Sequence, residues 1–185
     1  RGRKAAEDDQ PPQQQEGEII MANTRYGYST PKNVAGGLSD LSPHIIVSRS
    51  ADEDMKIGMG MMQGSIPGTR VKNPVKTDTA DTFEGILMNG GLTPVYDDGK
   101  VTVRKNATVN ILQKGRIYVR CTEDAEPAYG KDVYLVTDGK EAGMCTEEAL
   151  REKAEGEETD PPSRIKLPAR FLGKKEYGIA EIELS

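Results

Sequence analysis

Aromatic side chains are scarce in this chain of 185 residues, which has no Trp and only two Phe. Barrels that bind carbohydrate or single-stranded nucleic acid usually offer aromatic stacking platforms, so the scarcity counts against that class. Basic residues are not clustered either, because the longest basic runs are Arg3-Lys4 and Lys174-Lys175, and the sequence pI is about 5.1. We therefore expect no nucleic acid among its partners.

Histidine and cysteine are nearly absent, which removes the usual centres of catalysis and metal binding. His44 is the only histidine, so neither a catalytic triad nor a His-rich metal site can be assembled around it, and a structural or surface role is predicted. Cys121 and Cys145 lack C-x-x-C spacing and lie in strand-like patterns, where a buried thiol acts as a small apolar side chain and a disulfide is disfavoured. The sequence predicts no enzyme, no catalytic residue, no metal site and no cofactor.

Long apolar runs are also missing. The runs present are a few residues long, whereas a helix that spans a bilayer needs about 20, and nothing resembles a signal peptide. We expect no membrane partner. The hydrophobic fraction of 35% is enough for the core of one domain, but it leaves part of the chain outside that core.

Three motifs that could carry chemistry have simpler interpretations. Residues 58–64, Gly-Met-Gly-Met-Met-Gln-Gly, resemble a dinucleotide loop, but the third glycine is one place late and no βαβ unit surrounds it, so a strand or bulge is predicted. The acidic runs at residues 52–54 and 97–98 match no calcium loop and are typical of solvated turns. Four methionines could form an adaptable contact surface, although core filling is the better prediction: Met55, Met59, Met61 and Met62.

What the sequence does contain is a series of short runs in which apolar and polar residues alternate, as in half-buried strands. Separate strands are predicted at residues 101–104, 108–111 and 117–121, and another at residues 56–62. Two Asp-Gly pairs predict hairpins, because this dipeptide supplies the positive φ that tight turns need. The first pair is Asp98-Gly99. The second is Asp138-Gly139, which links residues 133–136 to a strand that ends at residue 145. A last hairpin is predicted from residues 164–172 and 177–184, with Ala180, Ile182 and Leu184 facing inwards and Glu181 and Glu183 facing outwards.

These patterns predict an all-β chain, folded as a single β-barrel or β-sandwich domain of roughly eight to ten strands over residues 45–185. Residues 1–20 are interpreted as a disordered leader or extension, and residues 21–44, rich in glycine and proline, as an extended N-terminal arm. An acidic insertion is placed at about residues 146–163. At most one short helix is predicted there, at residues 147–154, where Glu147 and Arg151 would lie one turn apart.

Several segments, taken together, also resemble one family. The segments Lys-Gly-Arg-Ile-Tyr-Val-Arg at 114–120, Tyr-Gly-Lys-Asp-Val-Tyr-Leu at 129–135, Leu-Pro-Ala-Arg-Phe-Leu at 167–172 and Tyr-Gly-Ile-Ala-Glu-Ile-Glu-Leu at 177–184 occur in the order seen in the capsid cement (decoration) proteins of tailed phages. Residues 21–28, Met-Ala-Asn-Thr-Arg-Tyr-Gly-Tyr, are similar to the start of that family. The resemblance covers residues 21–185.

The resemblance implies a virion structural protein that binds the outer capsid surface and stabilises the shell by bridging neighbouring subunits of the major capsid protein. It also implies a homo-oligomer, with a trimer possible, which is located on the capsid surface in the virion and in the host cytoplasm during assembly. Two alternatives stay open at this point. One is another β-rich virion component, such as a tail or head-to-tail joining subunit, and the other is a non-enzymatic ligand-binding β-barrel.

Overall fold

The structure is a computed structural model that describes residues 34–90, 102–149 and 162–185. Several predicted features lie outside these residues. They are the leader at 1–20, the arm up to residue 33, the acidic run at 97–98 with its Asp98-Gly99 hairpin, and residues 150–161 of the acidic insertion.

Within the described residues the regular structure is almost entirely β, which confirms the predicted fold class. The only helical element there is a 3-10 turn at Ala80–Thr82. The strands are β1 (Ile45–Ala51), β2 (Met55–Lys56), β3 (Gly60–Gln63), β4 (Arg70–Lys72), β5 (Phe83–Leu87), β6 (Thr102–Val103), β7 (Thr108–Arg120), β8 (Asp132–Val136), β9 (Cys145–Thr146), β10 (Arg164–Phe171) and β11 (Ile179–Leu184).

Nine of these strands form one sheet, in the order β1-β4-β3-β5-β7-β11-β10-β8-β9. An additional pairing of β1 with β7 closes the first five strands into a β-barrel, while β2 and β6 form a separate pair. The barrel is filled by apolar side chains that alternate along its strands, because every second residue of a strand faces the same side. Met61, Val71, Leu87, Val109 and Ile111 are all at most 5% exposed in this interior.

The other half of the sheet covers one outer wall of the barrel. β7 continues into β11, β10, β8 and β9, and a parallel bridge between Cys121 and Cys145 brings β9 back to the end of β7. A second core fills the space between the two layers. The barrel wall contributes Met62, Ile86 and Leu112, and the covering strands contribute, among others, Leu135, Phe171 and Ile182, all of them fully buried.

β7 is one strand of 13 residues, so the prediction of separate strands at 108–111 and 117–121 was wrong. Gly115, which lies between the two predicted strands, bends a continuous strand and has a φ of 122°. A side chain there would place its Cβ 2.8 Å from the Cβ of His44, on the neighbouring chain segment. The glycine therefore allows a close approach and a backbone conformation that L-residues rarely adopt.

Two further predictions need correction. Residues 56–62 are not one strand, because the chain turns aside between β2 and β3. There the Gly58 N–H donates to the Leu87 carbonyl, and the Gly58 carbonyl accepts from the Arg120 N–H. The predicted helix at 147–154 does not begin at Glu147, since residues 147–149 are not helical. Instead, the Glu147 carboxylate accepts a hydrogen bond of 2.7 Å from the Glu126 N–H, which fixes it to a neighbouring loop.

Both hairpins that fall within the described residues are confirmed. β10 and β11 pair in antiparallel fashion, with the side chains of Ala180, Ile182 and Leu184 at most 2% exposed. β8 and β9 also pair in antiparallel fashion, and Gly139 has a φ of 78° in the connection. That connection is longer than a tight turn, because the Gly143 N–H donates to Val136 and leaves residues 137–142 in the loop.

The described part of the predicted arm, from residue 34, is attached to the barrel. Gly36 and Gly37 exchange main-chain hydrogen bonds with Tyr118, and the Ser39 N–H donates to Arg116. Leu38 packs against the second core. β7 therefore has hydrogen-bonded neighbours on both edges along most of its length.

We expect Gly85→Ala to lower the free energy of unfolding by about 3 kcal/mol or more. Gly85 lies at a bulge between β3 and β5 with a φ of 138°, and an added Cβ would meet the carbonyl oxygen of Leu112. The matched control is Gly68→Ala, with a φ of 73° and open space around it, for which backbone strain alone costs about 1 kcal/mol. Urea unfolding compares the two variants, and equal losses would contradict the account.

Candidate interaction surfaces

The histidine and the two cysteines, the side chains most often used as bases and nucleophiles, lie outside any catalytic arrangement of the described residues. His44 is exposed, and its Nδ1 lies 2.9 Å from the carbonyl oxygen of Ser42. Cys121 and Cys145 are buried free thiols. Burial raises the pKa of Cys121 to about 12 and the pKa of Cys145 well above its ordinary value. Neither thiol is therefore a thiolate, the nucleophilic form, at neutral pH.

The acidic run at residues 52–54 forms a turn, and hydrogen bonds within the chain occupy its carboxylates. Asp52 accepts a hydrogen bond of 2.6 Å from the Ser65 N–H and one of 2.6 Å from Arg70, and these bonds lower its pKa. The Glu53 carboxylate accepts a hydrogen bond from the Asn73 N–H, and the Asp54 carboxylate accepts one from the Lys105 N–H. Among the described residues, no three His, Cys, Asp or Glu side chains are grouped to hold a metal ion.

The methionines fill the core, as predicted. Met55, Met59, Met61 and Met62 are between 0% and 4% exposed, so they do not form a contact surface.

A partly buried ion pair lies inside one end of the barrel, and no local sequence pattern indicates it. Val47 and Ala51 point into the barrel core, so Arg49 between them on β1 also points inwards. Its Nη2 is 3.3 Å from Glu84, which is 7% exposed and also accepts a hydrogen bond from Gln113. Glu84 is the extra residue of the bulge in β5, and the bulge turns its side chain towards the interior.

Alternating charges cross the outer face of the covering strands. The registers align Asp132 of β8, Arg170 of β10, Glu183 of β11 and Arg116 of β7, and Asp40 follows on the attached segment. We call these five residues the charge row. The Nε of Arg170 donates to Glu183 Oε2 at 2.8 Å, and the Nε of Arg116 donates to Glu183 Oε1 at 3.0 Å. The Nη1 of Arg116 donates to Asp40 Oδ2 at 2.9 Å. The hydrogen bond from Arg170 and then that from Arg116 lower the pKa of Glu183.

The charge row shows what the sequence prediction missed on this face. Glu181 and Glu183 were predicted only to face outwards. The partners of Glu183 lie 13 and 67 residues away in the chain, so only the strand order could reveal them. Asp132 is paired with Lys166, whose Nζ lies 2.6 Å from the Asp132 carboxylate. Every member of the charge row therefore has a partner within the chain, and this face offers little net charge to a binding partner.

Exposed apolar side chains form a first candidate surface where the attached segment enters β1. Leu41 is 96% exposed, Ile45 51% and Ile46 38%. We call these three residues the entry patch. The loop that carries Leu41 leaves β7 after Ser39, passes Gly115 and rejoins β7 at Ile45. Ile45 and Ile46 are consecutive in β1, so their exposed side chains point to opposite sides of the strand.

Two tyrosines form a second candidate surface at the other end of the covering strands. Tyr177, at the tip of the β10–β11 hairpin, is 96% exposed and has a φ of 52°, which is unusual for a bulky side chain. Tyr129 is 74% exposed, and the next residue, Gly130, donates its N–H to Phe171. The Nζ of Lys175 donates to the Thr122 carbonyl and anchors the hairpin tip. Tyr129 and Tyr177 together are called the tyrosine patch.

The described residues contain no helix with the length and apolar character needed to cross a bilayer.

We expect Glu183→Gln to lower the melting temperature at neutral pH and to have a shrinking effect as the pH falls. The pKa of Glu183 is lowered in the folded state from an ordinary value of 4.5, so its contribution to stability is present above that value and is lost as the pH falls through the folded pKa. Glu181→Gln, on the same face of β11 with no ion pair among the described residues, is the matched control. A loss of the same size at pH 7 and pH 2 would contradict the assignment.

Comparison with known proteins gives one family and a matching fold. The family model described as "Structural cement protein (E217 gp24/Pam3 gp6)" matches residues 21–185. No curated protein matches the chain. A chain of the solved structure titled "The capsid of Myoviridae Phage XM1" has the same fold, with a TM-score of 0.64 and 16% identity over 90% of this chain and 98% of that chain. The chain therefore belongs to the structural cement protein family of phages and is a virion structural protein.

Proposed function

We propose that this protein binds the outer surface of a phage capsid and stabilises the shell by bridging neighbouring subunits of the major capsid protein. The observation that carries the proposal is the presence of two separate exposed apolar surfaces on one rigid sheet. The entry patch lies beside Lys114 of β7, and the tyrosine patch lies near Cys121, just after the strand ends. Seven residues separate Lys114 from Cys121 along the chain, which allows a distance of up to about 23 Å between the two surfaces.

Shell stabilisation of this kind needs binding energy and no reaction. A ligand that binds the assembled form and not the separated subunits shifts the equilibrium towards assembly. When one molecule makes two contacts, the second contact forms at a high effective concentration and raises the overall affinity. The rest of the outer sheet face fits a supporting role, because the charges of the charge row are paired with one another or, for Asp132, with Lys166.

The proposal includes three further points, of which the first two follow from the family resemblance and the third from the charge of the acidic insertion. The protein associates with itself, with a trimer possible, and is present in the host cytoplasm before it joins the capsid. The acidic insertion, which carries seven acidic residues against Arg151 and Lys153 over residues 146–160, stays in contact with solvent.

We expect Tyr177→Asn to weaken shell binding at least tenfold while the folded protein becomes slightly more stable. Exposed tyrosines are frequent binding hot spots, whereas asparagine adopts a positive φ more readily than tyrosine. Co-sedimentation with expanded capsids that lack the protein measures binding, and thermal unfolding measures stability. The control is Tyr134→Phe on β8, which should bind as the wild type does. Unchanged binding by folded Tyr177→Asn would argue against the tyrosine patch.

Deletion of residues 22–33 should leave the barrel folded and weaken binding to expanded capsids. An extended arm is expected to lie on an adjacent subunit, and this deletion removes none of the described contacts. A deletion of residues 22–43 provides the comparison, because it also removes the bonds of Gly36, Gly37 and Ser39 to β7 and should cost about 2 kcal/mol or more of stability. Full binding by the shorter deletion would remove the arm from the proposal.

Two further measurements complete the test. Co-sedimentation with unexpanded precursor shells measures binding to the immature form, and analytical ultracentrifugation measures self-association. Saturable binding to expanded capsids supports the cement role. Ring formation without capsid affinity would instead indicate a tail or head-to-tail joining subunit.

A further inference from the structure

The barrel has an open strand edge beside the entry patch. Along β1, the Ala51 N–H donates towards β7, whereas the N–H groups of Ser50 and Asp52 donate to the other side, towards Thr69 and Val71. Main-chain groups alternate in direction along a strand, so those of Ile46 and Ser48 also point to the side of β4.

The partner strand on that side is too short to reach them. β4 pairs with β1 only at Ser50 and Ala51, and no other described strand pairs with this side of β1. Ile46 and Ser48 are both exposed, and the Ser48 carbonyl accepts a bond of 3.1 Å from Arg49. The N–H groups of Ile46 and Ser48 and the carbonyl of Ile46 have no hydrogen-bond partner in the described part of the chain. An unpaired row of this kind is a template for an added strand.

The side chains around the open edge define the chemistry of what can bind. Leu41, Ile45 and Ile46 supply an apolar surface. Lys114 lies on β7, across β1 from the open edge and about 10 Å from the backbone of an added strand, two strand spacings away. It is exposed and makes no ion pair with any described residue, so a long acidic side chain on that strand is its available partner. The matching segment is therefore extended, apolar at alternate positions, and acidic at the end that lies near Lys114.

We propose that residues 46–48 of β1 accept an extended segment of the major capsid protein as an additional strand. The inference rests on the proposed function and names the contact that one capsid subunit would make. Residues 22–33 of a second copy are the competing occupant, but they contain Arg25 and Lys32 and no acidic residue. Their charge would repel Lys114, which favours the capsid segment.

Ile46→Pro tests the edge directly, because proline removes an N–H that points to the open side and leaves the bonds to β7 in place. Ile46→Val is the matched control, since it keeps the N–H and a β-branched apolar side chain. We expect the proline variant to bind expanded capsids about tenfold or more weakly, with the valine variant close to wild type and both variants folded. Lys114→Glu should also weaken binding, and Lys114→Arg should preserve it.

Hydrogen exchange on the wild-type protein gives a second test that does not depend on the proline variant folding. The amides of Ile46 and Ser48 should exchange more slowly on expanded capsids than in free protein. If the wild type binds capsids but these amides exchange at an unchanged rate, or if folded Ile46→Pro binds normally, the edge proposal is overturned. It is also overturned if Ile46→Pro loses self-association alone. Failure of the wild type to bind would instead overturn the proposed function.

Discussion

The shared strand β7 is the constraint on which the rest of the structure depends. Its first half closes the barrel and its second half begins the covering layer. Because side chains alternate between the two sides of a strand, adjacent side chains of the first half belong to different cores. Ile111 fills the barrel, and Leu112 packs between the barrel wall and the covering strands. A break or a shift of one residue in β7 would therefore disturb both cores at once. Gly115 makes this continuity possible, because the strand bends there where the attached segment passes closest.

The binding surfaces are what is left where the chain does not pair its exposed groups with one another. Arg116 and Glu183 pair within the charge row, and the carboxylates of the turn at residues 52–54 accept hydrogen bonds from neighbouring loops. On the described surface, exposed apolar side chains and the open edge of β1 stay uncovered. These are features that a partner protein can cover, and they require no bound cofactor or reaction.

The sequence predicted the features that depend on local pattern. Alternation at residues 179–184 correctly placed Ala180 and Ile182 inside, and burial of the methionines followed from their position in apolar runs. Features set by distant contacts were not predictable. Gly115 resembles a turn until the neighbouring segment is known, and Glu84 turns inwards because of a bulge opposite β3. The exposure of Ile45 and Tyr177 was missed because local pattern does not show which apolar side chains the rest of the fold leaves uncovered.

Thermal disruption of expanded capsids, measured by calorimetry over a range of added protein concentrations, tests the central claim most directly. If the protein stabilises the shell by binding its assembled form, the disruption temperature should rise with concentration and level off when the binding sites are full. A disruption temperature that stays unchanged on capsids shown to be saturated with the protein would contradict the account.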